Sequence, residues 1–234
     1  MTPVQGARAR ARIEITAAIK DEARRQLAAE GAAKLSLRAV ARELGMVSSA
    51  LYRYFPSRDE LLTALIIDAY DAVGAAAEQA HATALTAAPG DHLAHWTAAC
   101  RAVRTWAVAH PHEYALIYGS PVPGYTAPED TIGPASRVGL LLVGIARAAY
   151  QDKGIALLPL PDVLAPEARR LAEDMAPDLP PPLAVALVSA WAQLFGLVSF
   201  EVFGQFNNVV QARDTFFAAA AERLGRETGL LRTC

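Results

Sequence analysis

Arg53 stands in the run Gly45-Met46-Val47-Ser48-Ser49-Ala50-Leu51-Tyr52-Arg53-Tyr54-Phe55-Pro56-Ser57-Arg58-Asp59-Glu60-Leu61, where neighbouring side chains suit different tasks on a DNA duplex. A guanidinium is a planar fork of donors matching the O6 and N7 acceptors of guanine, so Arg53 is the candidate for a bidentate base contact. Ser48, Ser49 and Ala50 fall on the same side of a helix drawn through the run. Tyr52 and Tyr54 add hydroxyls. Ser36, Arg38 and Arg58 stand at predicted helix starts, where side chains and backbone N–H groups meet phosphate. Leu51 and Phe55, four apart, point the other way, onto Val40 and Leu44, with Met46 plugging the turn.

Other chemistries find less support. His92 and His95 share a helix face and His110 and His112 flank a proline, but a zinc site needs further converging ligands, and only Glu113 and Cys100 are near in sequence. No metal and no cofactor is therefore expected. A phosphate loop, a nucleophile elbow and a His-Glu-x-x-His pair are all missing, so an enzyme is not expected either.

The elements that must position these residues are helices. Ile15, Ile19, Ala23 and Leu27 recur every four residues between Arg8 and Glu30, and Gly31 ends that helix. Ser36 then caps a two-turn helix whose apolar positions are Leu37, Val40, Ala41 and Leu44, with Gly45 just past its end. A second short helix runs from Ser48 to Phe55 and is closed by Pro56. Ser57-Arg58-Asp59-Glu60 reads as a capping box opening a long helix towards His81. A two-turn helix, a glycine turn and a second helix over residues 36–55 make a helix-turn-helix, whose second member lies in the major groove.

In its detail this segment resembles the TetR family of bacterial regulators, whose recognition helix reads as Leu-Tyr-x-x-Phe followed by a basic residue, an acid and leucine. The resemblance covers residues 8–72. It implies that the aromatic residues at Tyr52 and Tyr54 touch phosphate or thymine methyl groups. One departure stands at Val47, where the family has Ser or Thr. The cap must then come from Ser48 or Ser49 or be absent, at a cost of about 1 kcal/mol.

Beyond residue 72 the chain stays helical, with segments expected from Asp91 to Ala109, on to Tyr118, over Ile132 to Lys153, near Pro166 to Met175, over Leu183 to Phe203 and over Thr215 to Leu224. His110-Pro111 and a proline-rich loop from Gly119 to Pro128 interrupt them. Trp106, His110 and Gly119 resemble the C-terminal variety of the same family named for its Trp, His and Gly. The expected architecture is all-α: an N-terminal three-helix DNA-binding domain over residues 8–72 and a larger ligand-binding and dimerisation domain over 73–234. Trp96, Cys100, Trp106, His110, Tyr114, Tyr118, Gln193 and Phe195 are the candidate lining of a pocket for a small-molecule effector.

Composition fits this layout. The chain is 53% hydrophobic, only 7% aromatic and rich in alanine, which loses no side-chain entropy in a helix. Net charge is −2, yet residues 1–62 carry +4 and the remainder −6, so a basic end can lie on phosphates while an acidic body stays clear. Cys100 and Cys234, far apart, suit a reducing cytoplasm, and no export signal is visible. Leu183 to Phe200 carries no charge, but Ser189, Gln193 and Ser199 interrupt it and Glu201 follows at once, so a membrane span is not expected. A helix apolar on all sides is better buried between the core and a partner subunit. The partners expected are double-stranded operator DNA, a second copy of the chain joined through the last two helices, and a small-molecule effector of unknown identity. The function expected is a repressor that a small molecule releases from its operator.

Overall fold

The structure is a computed structural model describing residues 3–153, 155–157 and 159–231, and all regular structure among these is helical. The helices are α1 (Pro3–Glu30), α2 (Leu37–Glu43), α3 (Ser48–Leu51), α4 (Arg58–Ala87), α5 (His92–Ala109), α6 (Pro111–Tyr118), α7 (Ile132–Lys153), α8 (Ala165–Met175), α9 (Pro181–Val202) and α10 (Arg213–Glu227). Against the sequence reading, α1 begins earlier and α4 runs past His81 to Ala87. Alanines at 75–77, 80, 82, 84 and 87 explain the extension, since nothing in that run opposes continued helix. The chain forms two compact units, Met1–Tyr70 with His110–Pro134, and Asp71–Ala109 with Ala135–Cys234. Cys234 lies outside the described residues.

In the first unit Ile19, Ala23 and Leu27 of α1 are buried with Leu37, Val40 and Ala41 of α2, Leu51, Phe55, and Leu61, Leu62 and Leu65 of α4. Local chemistry fixes how the chain turns between these faces. Gly31 adopts φ +80°, and its N–H reaches the Leu27 carbonyl at 3.0 Å. Ser36 Oγ accepts from the Ala39 N–H at 3.4 Å, capping α2. At the other end of α2, Gly45 takes φ +63°, its N–H donates to the Arg42 carbonyl (3.1 Å) and the Met46 N–H to the Ala41 carbonyl (2.8 Å). That double bond pattern is a Schellman close, with Met46 packed back on the core. Leu116, Val122 and Tyr125 from the 110–134 segment also lie on this core, and Thr63 Oγ1 and Tyr125 Oη are 2.8 Å apart.

In the second unit α5, α9 and α10 pack together and α8 lies on α9. Asp91 Oδ1 accepts from the Ala94 N–H (2.9 Å) to start α5. Where α5 crosses α10 the helices come close because Gly225 has no side chain: a Cβ there would stand 2.7 Å from Leu93 Cδ1 and 2.9 Å from Trp96 Cδ1. Trp96 donates its indole N–H to the Ala221 carbonyl at 3.2 Å. Arg104 forks onto Glu201 of α9 at 2.6 and 2.7 Å and reaches Asp214 of α10 at 2.7 Å. The helix α9 and the stretch Glu129–Asp152 are long and apolar enough to cross a membrane by length and composition. In α9, Leu183, Leu187, Leu194 and Val198 are buried in the unit, while Trp191 and Phe200 remain exposed on its other sides, as does Phe203 just past its end. It is thus covered on one face only.

Candidate nucleic-acid interface

Leu51 is fully buried and Phe55 nearly so, which anchors one side of the short segment that follows Gly45. The opposite side is open. Ser48, Ser49, Tyr52 and Arg53 are exposed and Ala50 is half-buried. The helix itself is shorter than the sequence suggested. It ends at Leu51, and the chain continues through tight turns in which the Arg53 N–H reaches the Ala50 carbonyl (3.2 Å) and the Tyr54 N–H the Leu51 carbonyl (2.8 Å). Pro56 requires an extended residue before it, so Phe55 cannot continue the helix.

Val47 occupies the N-cap of α3 with no side-chain cap, which settles the alternatives left by its departure from the family pattern in favour of an absent cap. Val47 is also 69% exposed, beside Ser48. An exposed branched methyl pair at that place can meet a thymine methyl group, a role that sequence reasoning missed because it weighed Val47 only as a failed cap.

The remaining candidates divide. Arg38 is exposed on α2, and Ser36 is half-buried and already engaged as a cap. Tyr54 is half-buried against the core, with the Arg12 guanidinium 5.2 Å above its ring. Arg58 has turned inward: its Nε donates to the Leu35 carbonyl (3.2 Å) and Nη2 to those of Ala32 (2.9 Å) and Ala33 (3.3 Å), while Nη1 lies 3.4 Å from Asp59. It ties the start of α4 to the turn after α1, a structural task that its position at a helix start did not reveal. Ser57 Oγ accepts from the Glu60 N–H at 3.1 Å, as the capping box anticipates.

The residues expected to line a pocket are divided between the two units. Trp96 and Cys100 have no exposed surface and Trp106 and Phe195 are buried, all in the second unit. Burial pushes the Cys100 thiol far above its ordinary value. Tyr114 is buried and Tyr118 half-buried in the first unit, their rings 5.2 Å apart, and burial raises the Tyr118 hydroxyl likewise. His110 is exposed ahead of Pro111 at the start of α6. Gln193 is exposed on α9 beside an open groove of 560 Å³ lined by Leu197, Phe200, Phe206 and Phe216. Trp96, Cys100 and Tyr114 are packed with no exposed surface, as core side chains are.

A second open space lies where side chains are small. A groove of 360 Å³ lies between α7, α8 and α9, bounded by Ser136, Gly139, Val143, Asp174, Leu187 and Trp191. A Cβ on Gly139 would have nothing within 4 Å, so the glycine leaves that wall open. Elsewhere in the unit His92 Nε2 lies 2.9 Å from Asp152 Oδ2 and His95 Nε2 lies 2.8 Å from the Ala88 carbonyl, with the His81 ring edge-on to His95 at 5.5 Å. Among the described residues no group of three His, Cys, Asp or Glu side chains is placed to hold a metal ion.

Comparison with known proteins agrees with this arrangement. Residues 19–65 match the family described as bacterial regulatory proteins, tetR family, and residues 96–224 match the tetracyclin repressor-like C-terminal domain. The HTH-type transcriptional regulators Rv1816 of Mycobacterium tuberculosis and Mb1846 of Mycobacterium bovis are each 42% identical over 204 residues, 86% of this chain and 86% of theirs. The crystal structure of regulatory protein SCO4313 superposes with a TM-score of 0.74 at 35% identity, covering 92% of this chain and 97% of that one. With a reading segment, a helical body and relatives that agree over nearly the full length, the chain belongs to the TetR family of helix-turn-helix transcriptional regulators.

Proposed function

We propose that the protein is a cytoplasmic, dimeric repressor that leaves its operator when a small apolar molecule binds its C-terminal part. The observation that supports this most is the two-sided segment from Ser48 to Phe55: Leu51 and Phe55 hold it, and Ser48, Ser49, Ala50, Tyr52 and Arg53 are left facing out. Arg53 has the donors to read guanine, Tyr52 and the exposed Val47 offer contacts to phosphate and thymine methyls, and Arg38 offers a charge to phosphate. So short a segment contacts too few bases to specify a site alone. Two copies on neighbouring half-sites are needed, about one helical turn or a multiple apart. The exposed aromatics Phe200 near the end of α9, Phe203 just past it and Phe216 on α10 supply an apolar face for the second copy.

For the effector we favour the groove between α7, α8 and α9. Its apolar wall of Leu142, Val143, Leu187 and Trp191 suits an aromatic or aliphatic body, with Ser136 and Asp174 as the polar groups at hand. The leverage of such a molecule is its difference in affinity between the two forms, and moving a population from 1:99 to 99:1 takes about 5.5 kcal/mol. Selection of duplexes from a random pool should enrich an inverted repeat, bound by a species of twice the 24.9 kDa chain mass. A panel of small aromatic compounds should then include one that releases the DNA, and Gly139→Trp, by filling the groove, should leave that compound with no further effect on operator binding. No enriched sequence, or a monomer bound one to one, would overturn the proposal.

A further inference from the structure

The stretch of α7 that walls this groove also grips the part of α4 that belongs to the same unit, from Asp71 onward. Ser136, Gly139, Leu140 and Val143 face the groove. Arg137, next in the chain to Ser136, points elsewhere and holds α4. Its Nε and Nη2 donate to Glu78 Oε1 and Oε2 at 2.9 and 2.6 Å, and its Nη1 donates to Asp71 Oδ1 at 2.7 Å and to the Asp71 carbonyl at 3.0 Å. Asp71 and Glu78 are seven residues apart, two turns along one face of α4. Between them Gly74 makes room, because a Cβ there would stand 2.8 Å from Arg137 Nε and 2.9 Å from Arg137 Cβ.

Stability alone does not account for so specific a seat. The carboxylates are 48% and 43% exposed, and ion pairs at such exposure add little. A bidentate fork does something else: it fixes distance and direction between the elements that it joins. The fork holds the Glu78 carboxyl below its ordinary range and the Arg137 guanidinium above its own. The helix gripped in this way runs without interruption from Ala87 back to Arg58, immediately after the reading segment.

We propose that Arg137 is the positioning residue that passes occupancy of the α7–α8–α9 groove to α4, an inference resting on the effector reading of that groove. A molecule wedged against Gly139 and Val143 displaces α7, and the fork carries two turns of α4 with it. Lysine would not replace it, since a single ammonium can follow one carboxylate but not hold both at fixed angles.

The test fills the groove covalently, so that no natural effector is needed. Gly139→Cys in a Cys234→Ser background is modified with benzyl methanethiosulfonate, whose benzylthio group is transferred to the cysteine sulfur as a mixed disulfide while methanesulfinate leaves, and mass spectrometry checks the labelling. Cys100, fully buried, is not reached. Binding to the selected operator is measured before and after labelling, with Arg137 and Gly74 intact, with Arg137→Gln, and with Gly74→Ala. The expected result is a change of about tenfold or more in the intact background and of less than about twofold in both variants, whose unlabelled operator affinity stays at the parent value. Gly74→Ala is the sharper variant because alanine favours helix, so loss of the response there cannot be assigned to a weaker α4. An equal response in all three backgrounds overturns the relay and leaves the groove as effector site. No response in any background overturns the effector reading and the relay with it.

Discussion

Arg104→Ala is expected to destabilise the second unit by about 3 kcal/mol or more, and the figure follows from where its three partners sit. The Arg104 side chain is 15% exposed and Glu201 only 7%, joined by a fork at 2.6 and 2.7 Å. Truncating one member of a buried pair leaves the other charge without compensation, which costs about 3 to 5 kcal/mol. Glu201 stands one residue from the end of α9 and can turn partly to solvent, which places the cost at the lower end. Asp214, 2.7 Å away but 90% exposed, adds at most about 1 kcal/mol. The guanidinium also lies 5.3 Å from the Phe217 ring, a contact of about 0.5 to 1 kcal/mol. In thermal unfolding this amounts to roughly 6 to 12 °C for a chain of this size. Asp214→Ala should move the midpoint by little, and Arg104→Met with Glu201→Met should recover most of the loss, because no charge is then left buried. If Arg104→Ala costs no more than Asp214→Ala, the fork is not the buried clamp described here.

At the α5–α10 crossing, Gly225→Val should cost about 1 to 3 kcal/mol in denaturant unfolding, since its Cβ meets Leu93 and Trp96, whereas Gly139→Ala, open to the groove, should stabilise by up to about 1 kcal/mol. Leu51→Ala should cost about 2 to 5 kcal/mol and abolish operator binding although the side chain touches no DNA, which a melting curve and a binding titration on one sample would show. Burial, and then the neighbouring His95 and His92, lower the His81 pKa below its ordinary 6.5. The folded form therefore resists a proton that the unfolded chain accepts, so His81 contributes stability above pH 6.5 that is lost as pH falls through its lower folded value. His81→Asn should flatten that part of the pH profile of the melting temperature.

Much of the scaffold was legible because its signals are local. Gly31, Ser36, Gly45, Ser57 and Asp91 each end or start a helix through a backbone angle or one short hydrogen bond, and the four-residue spacing of Ile19, Ala23 and Leu27 marks a buried face without reference to any distant residue. Arg58 shows where such reasoning stops. Nothing within a few residues indicates that the carbonyls of Ala32, Ala33 and Leu35 come within its reach. The groove between α7, α8 and α9 was not legible for a related reason: Trp96 and Trp106 stand out by size, but a large side chain fills space, and this groove arises where Gly139 and Ser136 leave it open. The uniform apolarity of α9 pointed to a helix between the core and a partner subunit, and only packing distinguishes the face covered within the unit from that of Trp191 and Phe200.

The measurement closest to the central claim compares wild-type protein with Arg53→Ala on the selected operator and on a scrambled duplex, at one salt concentration. Arg53 is exposed and outside the core, so its loss should leave the melting temperature unchanged. Operator affinity should fall by about 1 to 3 kcal/mol, roughly 5- to 150-fold, while the scrambled duplex binds nearly as before. An equal loss on both duplexes would make Arg53 a phosphate contact, and no loss on either would show that the segment from Ser48 to Phe55 does not read the sequence through it.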